Sequence, residues 1–152
     1  MLILLDTNVL LRTVEPGHAH HTAAAEAPRK LKIAGHELCV VPQIFYEFWV
    51  VATRPTQNNG LGMSGADAQA EISRMTNIFT LLRDERAIFE RWEALVGQYD
   101  VKGRQAHDTR IVAAMLRHGM THILTFDQSD FARYTEITAH NPTAVVDGEL
   151  TL

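Results

Sequence analysis

The chain has 152 residues, 46% of them hydrophobic and 21% charged, and a formal net charge of −4. This describes a single globular domain spanning 1–152, long enough to bury roughly 70% of its unfolded surface. The acidic balance excludes a protein that coats nucleic acid through bulk positive charge, and a lone cysteine, Cys39, excludes a disulfide framework and fits a reducing cytoplasm.

Leu2-Ile3-Leu4-Leu5 is wholly apolar, as expected of a strand covered on both faces. It is too short for a membrane span and lacks the basic flank of a signal peptide, so no membrane association is expected. Asp6 is placed to cap a helix that begins at Thr7 and stops before Pro16-Gly17. His20 to Ala34 reads as helical, with a kink or restart predicted at Pro28 and an end at Gly35. Glu37 to Val41 predicts a second strand with Cys39 buried in it. Pro42 suits the first turn of a helix running to about Thr53, before Arg54-Pro55. Thr56 to Met63 is polar and glycine-rich, the clearest loop in the chain.

Ser64 then caps a helix whose Ala68, Ile72, Met75 and Phe79 share one face, and Ile78 to Leu82 predicts a short strand. Asp84 to Tyr99 follows as a helix with the stripe Ile88, Trp92, Leu95, Val96 and Tyr99. Asp100 to Gln105 is a basic, glycine-containing loop, and His107 to His118 is a helix ended by Gly119. His122 to Phe126 and Glu136 to Ala139 predict the last two strands. Strands alternating with helices imply a parallel sheet with helices on both faces.

Four carboxylates, Asp6, Glu47, Asp108 and Asp127, sit where a soluble domain avoids an unpaired acid. Asp6 follows the first strand, Asp127 follows Ile123-Leu124-Thr125-Phe126, Asp108 opens an Ala-rich helix, and Glu47 interrupts Ile44-Phe45-Tyr46-Glu47-Phe48-Trp49-Val50-Val51. An ionised carboxylate taken out of water costs several kcal/mol unless a cation pairs with it. Apart from Arg110, no basic residue lies within these apolar runs, so the partner is expected to be a metal ion. Ligands of open α/β sheets bind beyond the carboxyl ends of the strands, where residues distant in sequence converge. An all-oxygen set favours Mg²⁺ or Mn²⁺ over zinc. Such a site activates water for in-line attack on a phosphodiester.

Each acid also has a plainer reading: the three aspartates as caps or turn residues, Glu47 as a solvated side chain. Asp130 is either a fifth acid or a cap. Thr7, Asn8 and Thr125 are candidates to orient the carboxylates. Arg12, Lys102, Arg104 and Arg110 are candidate phosphate contacts or plain surface charges. His18-Ala19-His20-His21 lacks the cysteine or carboxylate that would complete a zinc set, and reads as a solvated helix start. No P-loop or serine-hydrolase elbow is present.

Leu4-Leu5-Asp6-Thr7-Asn8-Val9-Leu10-Leu11, the helical Glu47, His107-Asp108-Thr109-Arg110 and Thr125-Phe126-Asp127-Gln128-Ser129-Asp130-Phe131 form an ordered set. Together they resemble the PIN-domain ribonucleases, and the compact length is similar to the VapC-type toxins of toxin–antitoxin pairs. The resemblance implies a three-layer fold with about five parallel strands and Mg²⁺- or Mn²⁺-dependent cleavage of RNA at the four acids. It also implies a homodimer and a cognate antitoxin. The aromatic helix around Glu47 has more apolar surface than one buried face requires, which suggests a groove or dimer contact, unless all of it lies in the core.

Other readings are a PIN nuclease of RNA processing and a non-catalytic RNA- or protein-binding module. A haloacid-dehalogenase-like phosphatase also places Asp after its first strand. It needs a second Asp two positions later, where this chain has Asn8.

Overall fold

The computed structural model describes residues 1–150 and 152. Leu2–Leu5 forms β1, and Ile3, Leu4 and Leu5 are fully buried, as its unbroken apolar run requires. Asp6 caps helix α1 (Thr7–Thr13) by accepting a hydrogen bond from the Thr7 amide. Helix α2 (His21–Ile33) leads to β2 (Glu37–Val40), and helix α3 (Pro42–Thr53) follows with Pro42 in its first turn. Helix α4 (Gly65–Ile78), capped by Ser64, precedes β3 (Thr80–Leu81). Helices α5 (Ala87–Gln98) and α6 (Gln105–Arg117) pack together before β4 (His122–Leu124), and β5 (Thr138–His140) and α7 (Pro142–Val146) close the chain.

The five strands are all parallel in the order β3-β2-β1-β4-β5. Successive strands step from β1 outward to β3; the chain then crosses back to place β4 on the other side of β1. Right-handed crossovers in opposite directions put their helices on opposite faces. The main helix contacts divide accordingly, α1 to α4 in one set and α5 with α6 in the other. The result is the expected three-layer α/β sandwich. The strand order reverses between β1 and β4, which opens a crevice at their carboxyl ends.

Several boundaries differ from the sequence reading. Helix α2 runs uninterrupted through Pro28, whose ring is buried; packing outweighs the lost hydrogen bond at that turn. The strand predicted over Ile78 to Leu82 shrinks to Thr80–Leu81, because Ile78 continues the amphipathic helix α4. Helix α5 begins at Ala87 instead of Asp84, and α6 begins two residues early, at Gln105. The last strand is shifted to Thr138–His140. The loop after Arg54 contains a single 3-10 turn, Thr56–Asn58. Helix α7 was not anticipated, although Asn141 caps it and Pro142 opens it.

Candidate active site

Asp6 leaves β1 at the crevice and is 8% exposed. Its amide donates to the Leu124 carbonyl at 3.0 Å, which ties the end of β1 to the end of β4. Its carboxylate accepts from the Thr7 amide (2.8 Å), the Thr125 hydroxyl (2.7 Å) and the Asn8 side chain (3.2 Å). Burial pushes this carboxyl up to about 7; the bonds from Thr125 and Thr7 oppose the shift, and the charges of Glu47 and Asp108 add to it.

Asn8 is the junction of this corner. Its amide nitrogen donates toward Asp6, Thr125 (3.0 Å) and Asp127 (3.1 Å), and its oxygen accepts from the Phe126 amide (3.2 Å). The Asp127 amide in turn donates to the Thr125 hydroxyl at 3.0 Å. Thr7, Asn8 and Thr125 therefore hold carboxylates in place through their side chains. Thr7 does so for Glu47, donating its hydroxyl at 2.8 Å, while Gln43 donates to the other Glu47 oxygen at 2.9 Å.

Asp108 lies in the first turn of α6 and is half-buried. The next residue, Thr109, is fully buried and bonds to the Gln105 carbonyl and the Tyr134 hydroxyl, which fixes that turn. Burial raises the Asp108 carboxyl to about 6, with further upward pushes from Asp130, Glu47 and Asp127 and a downward one from His107. Asp130 stands in the 3-10 turn Gln128–Phe131, and its carboxyl is raised by burial and by Asp127. It thus faces the acids, and it lies within the turn and does not cap it, since Asp127 and Ala132 flank that turn. The mutual repulsion places Asp6, Glu47, Asp108, Asp127 and Asp130 in one electrostatic neighbourhood.

The candidate phosphate contacts separate. Arg104 lines a cleft of about 510 Å³ together with Glu47, Arg54, His107, Asp108 and Asp130. Arg12 pairs with Glu15, and the exposed Lys102 pairs with Asp100 at 2.8 Å. Arg110 is engaged by Gln43 (3.0 Å) and Asp84 (3.1 Å), so its first role is to position Gln43. The sequence reading missed Arg54, Gln43 and the contact between His20 and Phe126, whose rings stack at 4.3 Å and 7°. Only Gln43 left a signal in the sequence, four residues before Glu47 on the same helix face.

Among the described residues no three His, Cys, Asp or Glu side chains form a ready-made metal cage. Neutral donors from Thr7, Asn8, Gln43 and Thr125 instead occupy the carboxylates of Asp6, Glu47 and Asp127. The donor chemistry still fits a hard divalent cation: the set is all carboxylate, and two of its members are raised above the carboxylate range by burial first and by their acidic neighbours second.

A parallel sheet with acids gathered at its switch point is the α/β arrangement in which ligands bind at the carboxyl edge. Residues 3–137 match the profile of the PIN domain, and the chain belongs to that family. No curated protein matches it in sequence. Among solved structures it is similar to VapBC2 from Rickettsia felis bound to a DNA fragment from their promoter, with a TM-score of 0.68 and 12% identity, over 93% of this chain and 98% of that one. It is similar to VapBC-1 from nontypeable Haemophilus influenzae, with a TM-score of 0.67 and 16% identity over 94% and 99%. The sarcin-ricin-loop-cleaving toxin VapC20 of Mycobacterium tuberculosis gives a TM-score of 0.61 and 17% identity over 87% and 95%. At such identities the likeness establishes the fold. No helix among the described residues is long and apolar enough to cross a membrane.

Proposed function

We propose that this chain is a Mg²⁺- or Mn²⁺-dependent endoribonuclease and the toxin of a toxin–antitoxin pair. The observation that carries the nuclease reading is the pair of raised carboxyls, Asp6 and Asp108, facing Glu47 and Asp127 at the switch-point crevice beside Arg54 and Arg104. Asp6, Glu47, Asp108 and Asp127 would hold the metal, with Asp130 beside them. When bound, the cation supplies Lewis-acid polarisation of the phosphodiester and activation of water. Thr7, Asn8, Gln43 and Thr125 set the carboxylate rotamers in advance, so the ligands reorganise little during the reaction. Arg54 and Arg104 offset phosphate charge at the rim of the cleft. Water would attack phosphorus as the P–O3′ bond breaks and the 3′-oxygen leaves, so products carry a 5′-phosphate and a 3′-hydroxyl and the RNA 2′-hydroxyl is not required. Incubation of a mixed RNA pool with EDTA, then with Mg²⁺ or Mn²⁺, tests this reading; cleavage undiminished by EDTA would remove it.

The antitoxin and the homodimer rest on a different surface. On α3 the side chains of Ile44, Phe45 and Phe48 are buried, whereas Tyr46 (63%), Trp49 (39%) and Val50 (55%) face solvent. The helix is therefore not wholly core. Tyr46 and Val50 line a groove with Gln43, Glu47, His107 and Arg110, which runs to the acids. The similar structures described as VapBC complexes favour a small antitoxin as its occupant, one that places a basic side chain among the acids. Co-expression with the product of the neighbouring small reading frame should relieve growth arrest and yield a complex. Harmless expression with no such partner would leave a PIN nuclease of RNA processing.

A further inference from the structure

The segment joining α1 to α2 carries His18 and His20, and α2 opens with His21; none of the three has a part in the acid cluster. The segment is tightly folded: the His18 amide donates to the Glu15 carbonyl, the His21 amide to the His18 carbonyl, and the His20 amide to His18 Nδ1 at 3.0 Å. His21 is fixed by a 2.9 Å bond between its Nδ1 and the Arg12 carbonyl. His20 differs. It is exposed, caps nothing with its side chain, and lies nearly parallel on Phe126, 7° between planes and 4.3 Å between centroids. The His18 ring tilts against it at 5.3 Å and 52°.

Phe126 is tied to the acids on both sides. It directly precedes Asp127, and its amide is held by the same Asn8 that binds Asp6 and Asp127. A phosphodiester placed at the acids therefore lies beside the segment whose Phe126, the residue before Asp127, carries the stacked His20 ring. Proteins read unpaired RNA bases by stacking them on aromatic and histidine rings. We propose that His20, backed by Phe126, is a stacking platform for one unpaired base next to the cleaved phosphodiester, with His18 flanking it. The proposal rests on the ribonuclease reading. It identifies His20 as a residue that positions substrate and restricts cleavage to sites where that base is unstacked.

The test uses a short single-stranded RNA that the protein cleaves. His20→Ala should raise KM about 5- to 150-fold, the range for losing one base–aromatic stack, with kcat within about twofold of wild type; His20→Trp should restore KM. Removing the base on one side of the cleaved bond should cost the wild type the same factor and cost His20→Ala nothing further. Unchanged KM in His20→Ala, or equal losses from the abasic RNA in both proteins, would overturn the platform. A second readout needs no cleavage. RNA carrying 2-aminopurine at that position should be quenched on binding to the Asp6→Asn variant, and should lose the quenching when His20→Ala is added. Quenching that persists without His20 rejects the platform, whereas normal quenching by a wild type that cleaves no RNA rejects only the nuclease reading.

Discussion

The two halves of the acid cluster are built differently. Around Asp6, hydrogen bonds from Thr7, Asn8 and Thr125 fix the carboxylate and connect it to Asp127 and Glu47. Around Asp108 the backbone is anchored through Thr109, but the carboxylate has no side-chain donor among the described residues, and burial together with its acidic neighbours raises it unopposed by any such bond. Both carboxylates are buried and repelled by acids, but only the Asp6 half is also fixed by side-chain hydrogen bonds. In such a site one side sets the geometry and the other responds to charge, since its repulsion is relieved by a proton or by a cation.

The largest test of this contrast is chemical. Asp6→Asn and Asp108→Asn should each reduce cleavage of RNA by more than about 100-fold, exceeding the ~10–100-fold typical of a group that supports a ligand. Normal turnover in either variant would take that residue out of the site. Next come Asn8→Ala and Thr125→Ala, which should lose roughly 10–100-fold in metal affinity or turnover. Calorimetric titration with Mn²⁺ would check the affinity, and no change in either variant would dismiss a role for the hydrogen-bonded half.

Stability against pH reads the same contrast without catalysis. The Asp6 and Asp108 carboxyls ordinarily titrate near 3.8 and are raised to about 7 and about 6 in the fold. Between pH 4 and those values the folded chain keeps protons that the unfolded chain has lost, so metal-free stability falls as pH rises through that window. Asp6→Asn and Asp108→Asn should therefore unfold at equal or higher denaturant concentration than wild type at pH 7.5, and their pH dependence should flatten. A clear loss of stability in both variants at pH 7.5 would favour pure capping roles. Added Mg²⁺ should stabilise the wild type at pH 7.5 and much less at pH 4.5, where protons compete for the ligands. The smallest effects belong to the rim: Arg54→Ala and Arg104→Ala should each raise KM by no more than about 5-fold, the equivalent of ~1 kcal/mol for an exposed charge contact. A larger loss in kcat would move them into the reacting centre.

What the sequence reveals depends on how local the cause is. β1, β2 and β4 announce themselves as apolar runs, and Asp6 and Asp127 follow from them because they leave strands at the carboxyl edge. β3 has only two residues, and pairing to Cys39 and Val40 defines it more than its own composition does. Helix α7 had a legible cap and an opening proline, but five residues give no periodicity to read. Gln43 lies one helical turn from Glu47 and was visible in principle. The stack of His20 on Phe126 joins segments separated by most of the chain, and no local pattern specifies it.

The pairing of β1 with β4 also has a consequence for the order in which the chain is made. The bond from Thr125 to Asp6 spans 119 residues, so the first carboxylate leaves the ribosome long before its partners do. At roughly 5–20 residues per second, several seconds separate the two, and contacts of such separation form late in folding. The growing chain carries Asp6 without Thr125 or Asp127, and its acid pocket is incomplete. The acid cluster therefore cannot assemble until translation has passed Asp127, however much of the sheet has already formed.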